Sequence, residues 1–170
     1  GRHENEVPTA GPGLALPMDS QGLLSVRVWT EKRTYQSGEK VHVYLQGNKD
    51  FYARVVDITT TDDIVQLLPN RFRLQNHFKA GLIYKIPGEG DRFTLGVTAP
   101  FGQDHIVVYA SEAKQGDIPL QDLGNGLGAY RGTRSDLGIQ TRALMVMPMA
   151  DGMQPAGEFV EAQWDFVTTP

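Results

Sequence analysis

Short runs of strand-forming residues recur along this chain from Leu23 onward, and Gly, Pro, Asn or Asp separates each run from the next. In several runs every second residue is apolar, which is the period of a strand with one buried face. The runs predicted to be strands are Leu23–Trp29, Lys40–Gln46, Phe51–Ile58, Ile64–Leu68, Leu82–Ile86, Arg92–Thr98, Asp104–Ala110, Arg142–Pro148 and the alternating run from Val160 to Phe166.

The strands follow one another with no helices between them, which argues against a parallel α/β sheet. The pattern predicts an all-β fold: an immunoglobulin-like antiparallel β-sandwich of about seven to nine strands. We expect a turn at Tyr35–Glu39, an exposed glycine-rich loop at Glu112–Gln140, and at most a short helix, Ser135–Thr141, capped by Ser135.

A chain of 170 residues is long enough for one domain. We assign residues 23–170 to a single sandwich domain and residues 1–22, which are rich in Pro, Gly and polar side chains, to a flexible leader. We expect the leader to join the domain to a signal or lipid anchor, as in a secreted protein or lipoprotein. The predicted location is therefore the periplasm or cell envelope, with membrane contact only through that anchor.

Composition narrows the function. The chain has 16 Lys and Arg against 20 Asp and Glu, a net charge of −4, and the charges are scattered. This argues against a nucleic-acid partner or general binding to anionic membranes. Because the chain contains no cysteine, disulfides, thiolate nucleophiles and cysteine-based metal sites are excluded.

Motifs that would indicate chemistry are weak. Gly124–Ala129 fits the dinucleotide fingerprint but lacks the strand and helix that it needs, so we interpret it as a glycine-rich loop. The spacing of Asp57, Asp62 and Asp63 fits no EF-hand, so turn formation is favoured over calcium binding. No G-x-S-x-G or S-x-x-K motif is present. We predict no catalytic residues, no metal site and no cofactor.

Residues Asn70–Lys79 alternate basic and amide side chains with aromatic and aliphatic ones. Such a loop could hold an acidic peptide, a glycan or a phosphate by forked hydrogen bonds and stacking, or its apolar residues could simply anchor it. Together with the second loop it supplies the predicted contact residues, which are Asn70, Arg71, Arg73, Asn76, His77, Lys79, Tyr130, Arg131 and Arg134. If the loops at 69–81 and 112–140 close over one cleft, five Arg and Lys side chains would share it.

The chain also resembles the bacterial domain of unknown function 4384 family. The resemblance rests on segments from Leu23 to Ser111, namely Leu24–Val26, Tyr35–Glu39, Phe51–Val55, Val65–Asn70, Lys79–Gly81, Ile86–Pro87 and Thr98–Gly102. It implies a β-rich accessory module of cell-envelope proteins that occurs beside peptidase-like or kinase-like domains. It implies no catalytic residues.

Three functional hypotheses follow. The first is a non-enzymatic binding or protein-interaction module of a bacterial cell-envelope protein, with a protein, peptide or glycan as partner. The second is a hydrolase whose site combines His77 or His105 with Asp57, Asp63 or Asp104. The third is a purely structural domain of an envelope assembly, which predicts an exposed apolar patch.

Overall fold

The computed structural model describes residues 22–146 and 157–170, so the leader assigned to residues 1–22 lies almost entirely outside them. The described residues form thirteen strands and one helix. The strands are β1 (Val26–Thr30), β2 (Thr34–Gln36), β3 (Val43–Gly47), β4 (Phe51–Ile58), β5 (Ile64–Leu68), β6 (His77–Phe78), β7 (Tyr84–Ile86), β8 (Gln103–Ser111), β9 (Lys114–Gln115), β10 (Gln121–Asp122), β11 (Gly128–Tyr130), β12 (Met145–Val146) and β13 (Phe159–Thr169), and the helix α1 is Arg134–Ala143.

The strands form two main sheets. The small sheet has the order β1-β3-β7, and the large sheet has the order β10-β11-β5-β4-β8-β13-β2, with β6 paired to β4. All pairs in the large sheet are antiparallel except β13 with β2, which is parallel. The predicted all-β sandwich is confirmed, with this one parallel pair as an addition.

The main core lies between the two sheets because the alternating apolar faces of their strands meet there. Val28 and Leu45 of the small sheet are buried against Val55, Val108 and the rest of the inner face of the large sheet. On the final strand, one face of the predicted alternation packs against the same core. Its residues are Val160, Ala162, Trp164 and Phe166, and Phe166 is only 5% exposed.

A third layer covers the outer face of the large sheet. Val56 and Tyr109 on that face pack against Ile118, Tyr130 and Leu137, all of which belong to the segment predicted to be an exposed loop. That prediction is wrong for these side chains, because the outer face is itself apolar and needs a cover. The glycine fingerprint forms the turn between β10 and β11, where Gly124 and Gly126 have positive φ.

Two details of the predicted strands need correction. Arg92–Thr98 buries Phe93 and Val97 as its alternation predicts, but it is not one of the strands. It meets residues 38–41 through an isolated bridge between Gly96 and Lys40 and through backbone hydrogen bonds on either side of that bridge. The thirteen strands exceed the predicted seven to nine because many are ladders of only two or three residues.

The helix is longer than expected and starts earlier. Its N-cap is Thr133, whose hydroxyl accepts the backbone N–H of Asp136, rather than Ser135. It continues through Ala143, so the strand predicted from Arg142 begins only with β12, and Pro148 lies outside the described residues. Thr133 is favoured as the cap because its backbone is extended, as an N-cap requires.

Candidate functional site

The predicted contact residues of the first loop divide into internal and exposed side chains. Asn70 is buried and shapes the loop, since its side chain donates to the Leu67 carbonyl at 2.7 Å and accepts the backbone N–H of Phe72 at 2.7 Å. Arg73 is also buried and pairs with Asp91 at 2.8 Å. These two side chains therefore stabilise the loop and are not displayed to a partner.

The other contact residues of this loop are less deeply buried. Asn76 is half-buried and donates to the Ala53 carbonyl at 2.9 Å, and His77 stacks on Tyr52 with ring centroids 4.2 Å apart. Arg71 and Lys79 are exposed. Of the six predicted residues, these two remain the most available for a partner.

The second loop places its three predicted residues in different surroundings. Tyr130 is buried and its hydroxyl accepts a hydrogen bond from Gln140 at 2.9 Å. Arg134 is half-buried in the first turn of α1, where its backbone carbonyl accepts the Tyr109 hydroxyl. Arg131 is exposed, with its Nη1 3.7 Å from Asp63.

The two loops meet, but they do not bring their cations together. The Arg71 backbone N–H donates to the Gly126 carbonyl at 3.0 Å, beyond the carboxyl end of β5. Arg131 lies at the other end of β5, because β11 runs antiparallel to it with Tyr130 opposite Ile64. The five-residue strand between them spans about 16 Å. The single basic cleft is not formed by these side chains.

The histidines of the hydrolase hypothesis do not line the cavity that its carboxylates line. His105 Nδ1 is 2.7 Å from Asp165 Oδ1, on the outer face of the large sheet. His77 has its ring against Tyr52. Asp57, Asp63 and Asp104 instead line a cavity whose described walls contain no histidine. The sequence named these aspartates as partners of a histidine, whereas the fold brings them to one another.

This cavity, which we call the inter-sheet cavity, has a volume of about 260 Å³ and lies at one end of the sandwich. The strand alternation that buries Val55 of β4 and Ile106 of β8 also turns Asp57 and Asp104 toward the space between the sheets. The irregular segment 95–100 forms another wall. The remaining lining residues are Val41, Val43, Thr59, Thr61, Asp63, Leu67, Phe166 and Thr168.

The electrostatics of the cavity are dominated by one carboxyl pair. Burial, a hydrogen bond to Asp104 and the Asp104 charge together raise the pKa of Asp57 well above its usual value. Burial also raises the pKa of Asp104, although the hydrogen bond from Asp57 and the nearby His105 oppose the rise. Two carboxyls this close cannot both ionise cheaply, so the pair favours holding a proton.

The pair also lacks a compensating donor from the chain. Asp57 Oδ1 is closed off from solvent, and no N–H or hydroxyl group in the described part of the chain donates to it. Among the described residues with such an unpartnered buried side-chain atom, only Asp57 lines the inter-sheet cavity. A buried acceptor without a donor is costly, and a ligand that brings donors to the Asp57–Asp104 pair would offset that cost.

A buried cation occupies the opposite face of the same strand. Arg54 is 2% exposed, and its guanidinium donates to the Thr141 hydroxyl at 3.1 Å, to Gln66 Oε1 at 2.8 Å and to the Gly116 carbonyl at 2.7 Å. Burial lowers its pKa to about 10, so it stays charged at neutral pH. It lines a second cavity of about 430 Å³, but each of its nitrogens already has a partner. Arg54 therefore ties α1 and β5 to β4.

Sequence reasoning missed the pairing of Asp57 with Asp104. A signal was available, because Asp57 continues the inward face of Ala53 and Val55, and Asp104 precedes the inward residue Ile106 by two positions. A carboxylate on an apolar strand face is rare unless it is paired or functional. Which two such carboxylates meet depends on strand order, which no single strand reveals.

The fold and site together define a class: an all-β sandwich whose large sheet carries a helical cover on one face and a carboxyl-lined cavity on the other. Residues 34–114 match the model of the family described as Domain of unknown function (DUF4384), which confirms the resemblance seen in the sequence. The chain is therefore similar to this family over residues 34–114, which include both Asp57 and Asp104. No curated protein and no solved structure matches the chain.

No helix among the described residues is both long enough and apolar enough to cross a membrane. The described residues also contain no group of three or more His, Cys, Asp or Glu side chains suited to hold a metal ion. The candidate site is the inter-sheet cavity, because the Asp57–Asp104 pair lines it.

Proposed function

We propose that the domain is a non-enzymatic binding module of a bacterial cell-envelope protein and that its ligand binds in the inter-sheet cavity. The observation that carries the proposal is the Asp57–Asp104 pair, which faces a cavity with no chain donor for Asp57 Oδ1. The cavity replaces the two predicted loops as the principal site, since Asn70, Arg73 and Tyr130 are committed to internal contacts.

The cost of the carboxyl pair favours a binding role over a purely structural one. Two carboxyls withdrawn from water lose hydration, and well-packed apolar side chains of similar size would often stabilise a core more. Asp57 and Asp104 nevertheless lie at the end of an otherwise apolar inner face, where their carboxyls lose part of their hydration. A group that recovers this cost only when a ligand arrives is typical of a binding site.

The cell-envelope role has separate support. The family resemblance implies envelope proteins, and the Pro- and Gly-rich residues 1–22 suit a tether to a signal or lipid anchor. The proposed location is the periplasm or another exported compartment. The proposed partner is a protein, peptide or glycan, because a net charge of −4 does not suit nucleic acid.

Methyl NMR of the labelled chain tests the proposal, with the soluble fraction of a bacterial envelope preparation as the probe. We expect shifts at the cavity residues Val41, Leu95 and Ile106. Leu95→Phe narrows the cavity and is expected to abolish them, while Leu23→Phe, at a residue that is 78% exposed, is the matched control. Shifts confined to the Leu74 methyls, in the exposed loop that carries Arg71 and Lys79, would assign binding to the loop instead.

One observation favours a second candidate, a hydrolase. Two carboxyls that share a proton can act as general acid and general base, and burial raises the pKa of both Asp57 and Asp104. Chromogenic peptide and glycoside substrates test it directly. Turnover that Asp57→Asn abolishes would support the hydrolase, and a signal that persists in this variant would come from a contaminant.

A further inference from the structure

The chemistry of the inter-sheet cavity narrows the class of ligand, given the proposed binding function on which this step rests. We infer that the cavity takes a primary alkylammonium group, with the ammonium at Asp57 and Asp104 and the alkyl chain along the apolar wall. Three features of the cavity lead to this class: its charge, its hydrogen-bonding capacity and its shape.

The charge of the lining is negative only. Asp57, Asp63 and Asp104 contribute carboxyls, and no Lys, Arg or His belongs to the described lining. Arg131, whose Nη1 is 3.7 Å from Asp63, is exposed and is not part of this lining, and His105 pairs with Asp165 on the outer face. Even with one proton shared by the pair, the cavity favours a cation and repels a carboxylate or phosphate.

Hydrogen bonding selects the kind of cation. Asp57 and Asp104 both line the cavity, and carboxyl oxygens accept hydrogen bonds. An ammonium group supplies three donors from one compact centre, so it can bond both carboxyls and a lining threonine together. A metal ion is disfavoured, because no group of three suitable ligands exists among the described residues.

The shape of the cavity suits an alkyl chain behind the charge. Val43, Leu95, Ile106 and Phe166 form apolar wall on the same cavity. Its volume of about 260 Å³ exceeds the ~30 Å³ share of a single water many times over. An alkyl chain of a few carbons would bury apolar surface there, and this burial favours binding.

Two sources could supply this chemistry: a free small amine, or the side chain of a lysine in a peptide. Both present an ammonium at the end of a short alkyl chain. The experiment therefore uses n-butylammonium chloride for the first and Nα-acetyl-lysine methylamide for the second. Binding of either compound at the cavity supports the inference, and the tighter of the two identifies the source.

The test is a methyl NMR titration of the whole chain near neutral pH, with n-butanol as the neutral control of the same shape and butyrate as the anionic one. We expect saturable shifts at Val41, Leu95 and Ile106 with n-butylammonium, and about tenfold weaker binding of n-butanol, because charge-assisted hydrogen bonds are the stronger kind. Asp57→Asn and Asp104→Asn should each weaken n-butylammonium binding about tenfold by the same reasoning. Asp165→Asn removes an exposed carboxyl from the outer face and should leave binding unchanged.

The outcomes separate this inference from the proposed function. If n-butanol or butyrate binds in the cavity as well as n-butylammonium does, the cavity remains a ligand site and the ammonium inference is wrong. If the envelope fraction shifts the cavity methyls but neither ammonium compound does, the ammonium inference is wrong and the proposed binding function stands. If nothing shifts them, both proposals fail. Shifts that persist unchanged in both Asn variants would also overturn the inference, and these variants keep the fold testable because Asn matches Asp in shape.

Discussion

Arg54 and Asp57 lie three positions apart on β4, and the fold treats their charges in opposite ways. Arg54 faces the helical cover and is 2% exposed, yet each nitrogen of its guanidinium donates to a neutral oxygen of the chain. Asp57 faces the inter-sheet cavity, and its Oδ1 receives no donor from the described chain. Each guanidinium nitrogen of Arg54 therefore has a partner, whereas Asp57 Oδ1 is buried without one among the described residues.

The difference separates a structural charge from a ligand-binding one. A buried charge whose partners all belong to the chain holds elements together, and removing it leaves those partners unsatisfied. A charge that meets only another carboxyl destabilises the fold until a proton or a ligand arrives. Replacing Arg54 by a neutral residue should therefore lower the free energy of unfolding, and replacing Asp57 by a neutral residue should raise it.

The largest effect is expected at Arg54. Arg54→Met should lower the free energy of unfolding by about 4 kcal/mol, because it strips donors from Gln66, Thr141 and the Gly116 carbonyl. Urea denaturation followed by tryptophan fluorescence measures this loss. Arg71→Met, at an exposed position, is the control and should change the free energy by less than about 0.5 kcal/mol. A loss at Arg54 no larger than at Arg71 would break the comparison.

A somewhat smaller loss is expected where α1 packs on the outer face. Leu137 is fully buried against Val56 and Tyr109, so Leu137→Ala should cost about 3 kcal/mol through lost burial and the space left behind. Ile139 on the same helix is 64% exposed, and Ile139→Ala should cost far less. Chemical denaturation of both variants checks this. Equal losses would mean that the helix does not serve as a cover.

Neutralising Asp57 should stabilise the protein, in contrast to Arg54. Its pKa is raised in the folded state, so between the usual aspartate pKa and this raised value the folded protein holds a proton that the unfolded chain has lost. Wild-type stability therefore falls as pH rises through this window, by at most about 1.4 kcal/mol per pH unit. Asp57→Asn escapes this loss, so its advantage in thermal denaturation should grow with pH.

Asp165→Asn is the matched control for that pH series. Hydrogen bonds from Gln163 and His105 lower the pKa of Asp165, so its contribution to stability is lost as pH falls rather than as pH rises. The side chain is well exposed, which weakens the effect. If Asp57→Asn loses stability with rising pH just as the wild type does, the Asp57 carboxyl of the wild type ionises normally.

The smallest effect is expected at the exposed pair of His105 with Asp165. The two side chains are 32% and 37% exposed. His105→Gln should change the free energy of unfolding by less than about 0.5 kcal/mol, the usual range for a surface pair. A loss comparable with that of Leu137→Ala would show that this pair is structural after all.

The sequence predicted the strands whose alternation matches a buried and an exposed face. Val26, Val28, Phe166 and their neighbours follow the period of two because one side meets the core. Arg92–Thr98 shows why this signal is incomplete. Its inward residues are buried as expected, but burial alone does not provide a neighbouring strand for a ladder, and only one bridge forms.

The outer layer and the site were harder to predict. The glycines of 112–140 indicated a loop, whereas Ile118, Tyr130 and Leu137 within it are drawn onto the apolar outer face of the large sheet. Asp57 and Asp104 are 47 positions apart in sequence, and they meet only because β4 and β8 are neighbours. The composition of the chain does not reveal that β4 and β8 are neighbours.

Our account holds that Asp57 and Asp104 share a proton, and that a ligand can supply the hydrogen-bond donors that the chain does not give them. The most direct measurement is the pH titration of their carboxyl carbons by NMR, with and without n-butylammonium. We predict one pKa well above the usual aspartate value in the free protein, and a fall in that pKa when n-butylammonium is added, because a cation favours the charged carboxyl. Two carboxyls that both titrate near the ordinary aspartate value, unchanged by n-butylammonium, would contradict the account.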